Sequence, residues 1–400
     1  MANDLTFNQL ATVLNAITAQ ATGTASIAVV DTSSFVTVGQ QALKAGYDVL
    51  GTAISQVLRN TIFSVRPYSS KFKGLEMTEQ QYGNATRKLS VVDKPFVNDV
   101  SIDPNVIVDG GSVDPFVITK PLVQQENFYG AEVFKKPLTI YDWQLDNAFS
   151  GPDQFASFVS MMLSNVSDML EHSRENTKRM TLVNLIGAVL GQYAANQNVK
   201  LVTDYNDYLG LSGANILTWA AIKGNQSHYQ RFMRFAYARI ATVASMFTDR
   251  SAKYHVSLPD KTIMRHTPYD MQRLYMLGQE RYDMEAQVLA DAFHDNYLAL
   301  ADVETVNFWQ SINTPDTINV TPSYLATSGA NVGTVQKGAA VNKSGIFAVL
   351  MDKDAAGVVQ VNERARTAYN ARGEYTNYFF SACHRYYNSF TENCVVFTLD

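Results

Sequence analysis

The chain has 400 residues, 46% hydrophobic and 11% aromatic, with 32 basic against 37 acidic side chains for a net charge of −5. At about 150 residues per domain, that length suggests two to three domains. Only 17% of residues are charged, against a usual ~25%, so part of the surface is expected not to face water.

The balance excludes a basic nucleic-acid binder, which needs excess cations to release counterions. Twenty-one Tyr, 21 Phe and 3 Trp exclude a disordered polar tract. Two Cys exclude a disulfide-built secreted scaffold. Residues 1–43 hold no Lys or Arg, so the positive region of a signal peptide is not expected. The Met-Ala-Asn start lacks the Gly of a myristoylation site. The apolar stretch Leu182–Leu190, broken by Asn184, is far short of a ~20-residue span. The expectation is a protein that stays where it is made and binds no membrane.

The first 60 residues read as two short helices. Thr6-x-x-Gln9 resembles a capping box, and Leu10, Val13, Leu14 and Ile17 then share one face. After the breaker Thr22-Gly23-Thr24, a second periodic stretch runs from Val38 to Leu58 through Leu43, Val49, Ile54 and Val57. Its Gly39, Gly46 and Gly51 weaken it. Such a segment suits an arm that packs on something else. Seven of the eleven prolines then fall between 67 and 152. They separate β-rich runs at Leu89–Val92, Val106–Val108 and Val113–Val117, with a turn at Asp109-Gly110-Gly111. Proline at this density suits edge strands and an extended loop that needs a neighbour.

Ser150-Gly-Pro152-Asp153 signals a helix start. From there to Tyr193 the sequence predicts one helix, with Phe155, Phe158, Val159, Met162, Val166, Met169, Met180 and Val183 at helical spacing. The charged run Glu171–Arg179 interrupts that stripe. Residues 200–340 alternate: a helix over His228–Phe247, another after Thr267-Pro268 through Met271, Leu274 and Leu277, and a short one at Ala286–Phe293. Thr314–Ser344 reads as loop or short edge strands. The end returns to β at Gly345–Met351, a turn at Asp352–Asp354, and Val358–Val361. Tyr375–Tyr387 and Cys394–Leu399 form a predicted hairpin closing through Asn388–Asn393.

Catalytic patterns are weak. Gly210-Leu-Ser212-Gly-Ala214 only partly matches a nucleophile elbow. Asp204-x-Asn206 begins like a calcium loop but has Tyr208, Leu209 and Asn215 at key positions. The histidines 172, 228, 255, 266, 294 and 384 lack ligand spacing. Glu280, Asp283 and Glu285 read as a solvated helix face, and Cys383 and Cys394 as thiols that do not face one another across the predicted hairpin. No catalytic, cofactor or metal residue is assigned, and no enzyme activity is expected.

One stretch carries a family pattern. Asp352-Lys-Asp-Ala355, Thr367-Ala-Tyr-Asn370-Ala-Arg-Gly373-Glu-Tyr375-Thr-Asn377 and Tyr386-Tyr-Asn388-x-x-Thr391-Glu-Asn393-x-Val395-Val-Phe397 resemble the C-terminus of tailed-bacteriophage major capsid proteins of the short-tailed group. Phe293-His294-x-x-Tyr297-Leu and Phe308-Trp309-Gln310-Ser311 resemble the same family upstream. The resemblance implies an α+β, Hong Kong 97-type fold. Its parts would be an N-terminal arm over 1–62 and an extended loop over 63–140. A peripheral domain with the spine helix would take 141–199 and 345–400, and an axial domain 200–344. It also implies hexamers and pentamers of this chain closing an icosahedral shell around double-stranded DNA, in a virion built in the host bacterial cytoplasm and matured from a procapsid. Portal protein, and decoration or tail proteins, would be partners. No acidic coiled coil precedes the arm, so a separate scaffolding protein is expected. The alternatives are an encapsulin-like nanocompartment shell of the same fold and, from another class, a hydrolase using Ser212 or the acids near 283.

Overall fold

The computed structural model describes residues 7–22, 32–47, 49, 53–54, 70–77, 86–92, 116, 118, 122–259, 261–289 and 302–400. In chain order come helices α1 (Phe7–Thr22) and α2 (Thr32–Lys44), then strands β1 (Thr86–Val91), β2 (Val123–Phe128) and β3 (Ala131–Tyr141). Helices α3 (Asp142–Ala148) and α4 (Pro152–Gln192) lead to β4 (Asn198–Lys200), followed by α5 (Leu201–Tyr208), α6 (Trp219–Gly224) and α7 (Gln226–Thr248). Strand β5 (Gln272–Leu277), helix α8 (Gly278–Leu289) and β6 (Asp302–Val306) come next. The short strands are β7 (Ile318–Val320), β8 (Ser323–Leu325), β9 (Val335–Lys337) and β10 (Val341–Lys343). The chain closes with β11 (Ile346–Asp352), β12 (Ala356–Asn370), β13 (Tyr375–Asn388) and β14 (Cys394–Thr398).

The chain forms two units. One comprises Met1–Gly83, Gly130–Lys178 and Val358–Arg385. Helical spacing puts Ala11, Leu14 and Ile17 on one face of α1, and Phe35, Val38 and Ala42 on one face of α2. All six are buried, in one cluster with Ile140, Phe149, Phe155, Tyr378 and Phe380. Burying each large apolar side chain contributes roughly 1.5–3 kcal/mol, so the arm's apolar faces are covered within its own unit. Gly39 allows this approach: a Cβ there would lie 3.1 Å from Phe149 Cδ1. The second periodic stretch breaks after Lys44, with Gly46 at φ +98°, and helical backbone is seen again at residues 47, 49 and 53–54. Thr6, the breaker at 23–24, Gly51 and Val57 lie outside the described residues, as do the predicted runs at 106–108 and 113–115 and the turn at 109–111. Strand β13 lies between β12 and β3, with register Tyr375↔Tyr141 through Arg385↔Ala131. Pro137 sits on β3, at the edge of that order, where a missing N–H is tolerated.

Helix α4 is unbroken over 41 residues, about 60 Å at 1.5 Å per residue. Pro152 opens it, as predicted, with Asp153 in its first turn.

The other unit comprises Asn84–Tyr129, Arg179–Gly357 and Tyr386–Asp400. Its centre is a five-stranded mixed sheet in the order β4-β14-β11-β5-β6. Phe232, Met233, Ala236, Ile240, Val243 and Phe247 of α7 bury one face of that helix in a cluster with Leu274, Met276, Leu350, Val395 and Phe397. Helix α7 starts two residues before the predicted His228 because Asn225 Oδ1 accepts from the N–H groups of Ser227 (3.0 Å) and His228 (3.3 Å). The polar 314–344 region forms short paired strands, β7 with β10 and β8 with β9, as its composition suggests.

Two predicted elements differ. Residues 272–277 are strand β5, not a helix, preceded by a single turn at Tyr269–Met271. Five of the six side chains are buried, because β5 pairs with β11 on one side and β6 on the other. A short apolar run buried on both faces has no period to tell it from a helix. Nor do 375–387 and 394–399 form a hairpin. Strand β14 pairs with β11 and β4 instead, and all five of its residues are buried.

Candidate assembly site

Strands β1 and β2 pair antiparallel from Thr86↔Phe128 to Val91↔Val123. A two-stranded ribbon in water normally turns its apolar face inward; this one is reversed. Ser90 and Gln124 are buried and Lys88 and Glu126 half-buried, while Leu89 (64%), Val91 (65%) and Val123 (51%) are exposed. The inward polar row has partners. Lys88 Nζ donates to Ser389 Oγ at 2.8 Å and pairs with Glu392. Arg265 Nη2 donates to Ser90 Oγ at 2.8 Å and lies 3.3 Å from Glu392 Oε1. Glu126 accepts from Ser389 Oγ at 3.0 Å and Thr391 Oγ1 at 2.7 Å. Burial pushes the Glu392 carboxyl above its usual range, against the pull of Lys88 and Arg265. The ribbon is thus tied down by charge-assisted bonds and shows Leu89, Val91 and Val123 to solvent, beside Arg87, Gln125 and Asn127.

A second polar cluster lies on the part of α4 where the stripe breaks. Glu171 (4%), Arg174 (8%), Glu175 (8%) and Lys178 (2%) are buried, not solvated. Glu171 and Glu175 carboxylates accept from the backbone N–H groups of Ser70 (3.2 Å) and Lys71 (3.4 Å). Lys178 Nζ donates to Ser70 Oγ at 2.9 Å and to the Lys71 carbonyl at 3.3 Å, and pairs with Glu76. Arg174 pairs with Glu171 at 2.6 Å and with Glu363 of β12. The 70–77 segment is further held by buried Phe72 and Leu75 and by a bond from Met77 N–H to the Val358 carbonyl at 3.1 Å. Phe72 takes a left-handed φ of 60°, a strain of about 1–2 kcal/mol for a non-glycine residue that these contacts offset. His384 of β13 is 1% exposed, beside Phe134, and neither ring nitrogen has a hydrogen-bond partner. Burial, aided by the Arg174 and Lys178 charges, pushes its pKa down to about 4.

The weak catalytic motifs do not assemble. Ser212 is exposed beside the turn glycines Gly210 and Gly213, both at positive φ. Asp204 pairs with Arg239 at 2.8 Å, and Asn206 is buried, bonding Leu217 and the Val202 carbonyl. His255 is buried between Asn393 and the Ile263 carbonyl, and His294 lies outside the described residues. The acids on α8 correct the solvated-face reading in part. Glu280 is buried, and burial raises its pKa. Asp283 accepts from Tyr229 at 2.6 Å, and Glu285 pairs with Arg281. Among the described residues no group of three or more His, Cys, Asp or Glu is placed to hold a metal, and no helix is long and apolar enough to cross a membrane. A cleft of about 430 Å³ in the first unit, lined by Trp143, Asn147, Asp153, Gln154 and Phe158, brings one acid and no base.

What the two clusters have in common is structural: each ties a short segment, 70–77 or the β1–β2 ribbon, to the rest of its own unit. A family model for the Phi29-like phage major capsid protein matches residues 14–398. The chain belongs to this family.

This phage major capsid protein has the α+β, Hong Kong 97-type fold expected from its C-terminal motifs. It is similar to a chain in the capsid structure of Staphylococcus phage Andhra, with a TM-score of 0.55 at 12% identity over 83% of this chain and 84% of that one. It is likewise similar to a chain in the structure of head fiber and inner core protein gp22 of native bacteriophage P68, with a TM-score of 0.54 at 11% identity over 84% and 86%. No curated protein sequence matches it. As a major capsid protein it is the structural subunit of an icosahedral, homo-oligomeric shell and resides in the virion. Nothing supports the nanocompartment or hydrolase alternatives. The sequence motifs pointed to the family. They missed the reversed ribbon, whose signal was legible in the alternation Arg87-Lys-Leu89-Ser-Val91 opposite Val123-Gln-Gln-Glu126.

Proposed function

We propose that the β1–β2 ribbon is the base of an extended loop through which each capsid subunit grips a neighbour. The carrying observation is the outward row Leu89, Val91 and Val123, 51–65% exposed on a ribbon whose polar side is turned in. Aliphatic side chains aligned on a ribbon gain stability when a protein surface excludes water from them. Under this reading 1–62 is the arm, 63–140 the extended loop, 141–199 with 345–400 the peripheral domain, and 200–344 the axial domain. The shell is built of hexamers and pentamers in the host bacterial cytoplasm, as a procapsid that matures. It assembles with a separate scaffolding protein, a portal and decoration or tail proteins. The net charge of −5 suits a coat that touches packaged double-stranded DNA non-specifically without holding it.

The test is the double variant Leu89→Glu, Val123→Glu. Removing 75–130 outright would also delete Glu76, Lys88 and Glu126, leaving Lys178 and Glu392 poorly paired. The point variant spares both clusters. The expected result is a soluble subunit with unchanged far-UV circular dichroism and no closed particles by electron microscopy. Closed particles of normal size would sink the reading.

A further inference from the structure

His384 is an unfavourable residue for the place it occupies. It lies on the buried face of the β12-β13-β3 sheet, 1% exposed, with its ring centred 5.5 Å from that of Phe134. Among the described residues neither ring nitrogen has a hydrogen-bond partner, and a buried polar group without one costs stability. A phenylalanine would pack beside Phe134 without that cost. Three charged side chains of α4 act on the ring: Arg174 and Lys178 oppose its protonation, and Glu171 favours it. From the other elements, Glu132 of β3 is its exposed cross-strand partner, and Glu363 of β12 pairs with Arg174. All of these residues belong to the first unit.

Two of those three α4 charges also hold the 70–77 segment. Ser70, itself buried, is the shared point: its N–H donates to the Glu171 carboxylate at 3.2 Å, and its Oγ accepts from Lys178 Nζ at 2.9 Å. We infer that His384 is an acid-operated catch on this segment. Protonating the ring sets a third cation beside Arg174 and Lys178, with little water to screen it. Glu171 is drawn toward the imidazolium and away from the Ser70 N–H. Lys178 is driven the other way, toward the half-exposed Glu76, and leaves Ser70 Oγ. Both movements unfasten the same residue. The ties that remain at Lys71, to Glu175 at 3.4 Å and to Lys178 at 3.3 Å, are long for hydrogen bonds. Burial holds the closed ring at a pKa of about 4, below the ordinary ~6.5, so the open form binds the proton first and falling pH favours opening. The inference deepens the extended-loop reading above and rests on it for its consequence: 70–77 is the root of that loop, and acid frees the root while the apolar cluster of α1 and α2 keeps the unit folded.

The experiment is hydrogen exchange, read by mass spectrometry, on the full chain kept below the concentration at which it closes shells. Protection is taken relative to the unfolded chain at about pH 7, 6 and 5, and peptides covering 375–385 report the sheet in the same sample. In the wild type, protection over 70–77 is expected to fall about five- to twentyfold from pH 7 to pH 5, with 375–385 unchanged. The upper figure is that of a ring whose pKa moves from about 4 to about 6.5 on opening. His384→Phe and His384→Asn, neither of which titrates, are expected to keep 70–77 protected at pH 5, with far-UV circular dichroism checking their fold. The wild-type contrast between 70–77 and 375–385 serves even where a variant does not fold. Constant protection over 70–77 in the wild type would overturn the proposal. So would a fall that persists in a folded variant, which places the proton on another group, or a parallel fall over 375–385, which is unfolding of the whole unit. If 70–77 stays protected at pH 5 while Leu89→Glu, Val123→Glu still closes no shells, the catch is wrong and the gripping ribbon stands. If 70–77 opens as expected and that double variant closes shells, the catch stands and the ribbon reading fails.

Discussion

Lys178 Nζ donates to Ser70 Oγ at 2.9 Å while the lysine itself is 2% exposed. An ammonium so buried must exchange its water for fixed partners. Here they are a hydroxyl, a backbone carbonyl and the Glu76 carboxylate. The residue that looked like a break in an amphipathic stripe is the point to which the 70–77 segment is fastened.

Replacing Lys178 with Met keeps the length of the side chain and removes the charge. Glu76 is 52% exposed and can rehydrate, so the loss falls below that of a fully buried pair, at about 2 kcal/mol. Lys178→Arg is expected not to restore it, because a planar fork cannot meet three partners arranged around a point charge. The urea midpoint of the subunit measures both, and an unchanged midpoint in Lys178→Met would remove the lysine from the stability argument.

His384 gives a pH dependence of known sign. Its folded pKa of about 4 lies below the unfolded value of about 6.5, so the unfolded chain binds the proton first as pH falls. Stability is therefore full above about pH 6.5 and is lost toward pH 4, by up to roughly 3 kcal/mol. His384→Phe, against Phe134, should flatten this slope and raise stability at neutral pH by about 1–3 kcal/mol through removing two unsatisfied buried nitrogens. His255, whose pKa burial also lowers, leaves a smaller residual slope. Denaturation curves at pH 4.5, 5.5 and 7 decide the matter; a slope unaltered by the substitution would refute it.

Gly187 sets two effects against each other. In a helix interior Ala is worth ~1 kcal/mol over Gly, but a Cβ at 187 would lie 2.5 Å from Val320 Cγ1 and 3.3 Å from Pro322 Cβ. A β-branched side chain and a proline ring cannot swing aside, and overpacking costs about 1–3 kcal/mol. The clash should win, so Gly187→Ala lowers the thermal midpoint, and adding Val320→Ala recovers much of the loss. A midpoint that rises in the single variant would show the opposite balance.

The two thiols should differ sharply. Cys394 is 1% exposed on β14, and burial pushes its pKa up to about 12. Cys383 lies half-buried on the outward face of β13, and both are free. A small thiol reagent should modify at most one cysteine in the folded subunit, Cys383, and both after denaturation. Rapid labelling of two thiols in the native chain would contradict the placement of β14.

The elements that could be read from sequence are those set by local pattern. The 152–192 helix follows from Pro152 at its start and forty residues without another proline. The α7 helix follows from a clean apolar face, and the short polar strands of 314–344 from Thr, Ser, Gly and Asn. Strand β5 could not be read, since Leu274-Tyr-Met-Leu277 is apolar at every position. The pairing of β13 with β3 could not be read either, because partners 234 to 254 residues apart in the chain leave no trace in either segment alone. For the candidate site, Lys88 and Glu126 were visible only as ordinary charges. Their role depends on Ser389, Thr391 and Glu392 arriving from the far end of the chain.

Sequence alone determined the family, through the motifs between Asp352 and Phe397, and with it a low-charge subunit made to be covered by others. It also determined the long helix and the absence of any strong catalytic signature, because composition, periodicity and spacing are local properties of a chain. Only the tertiary structure decided which charges are buried and which face of the β1–β2 ribbon looks outward. Those depend on burial and strand pairing across hundreds of residues, where solvation energy is settled by neighbours rather than by sequence position.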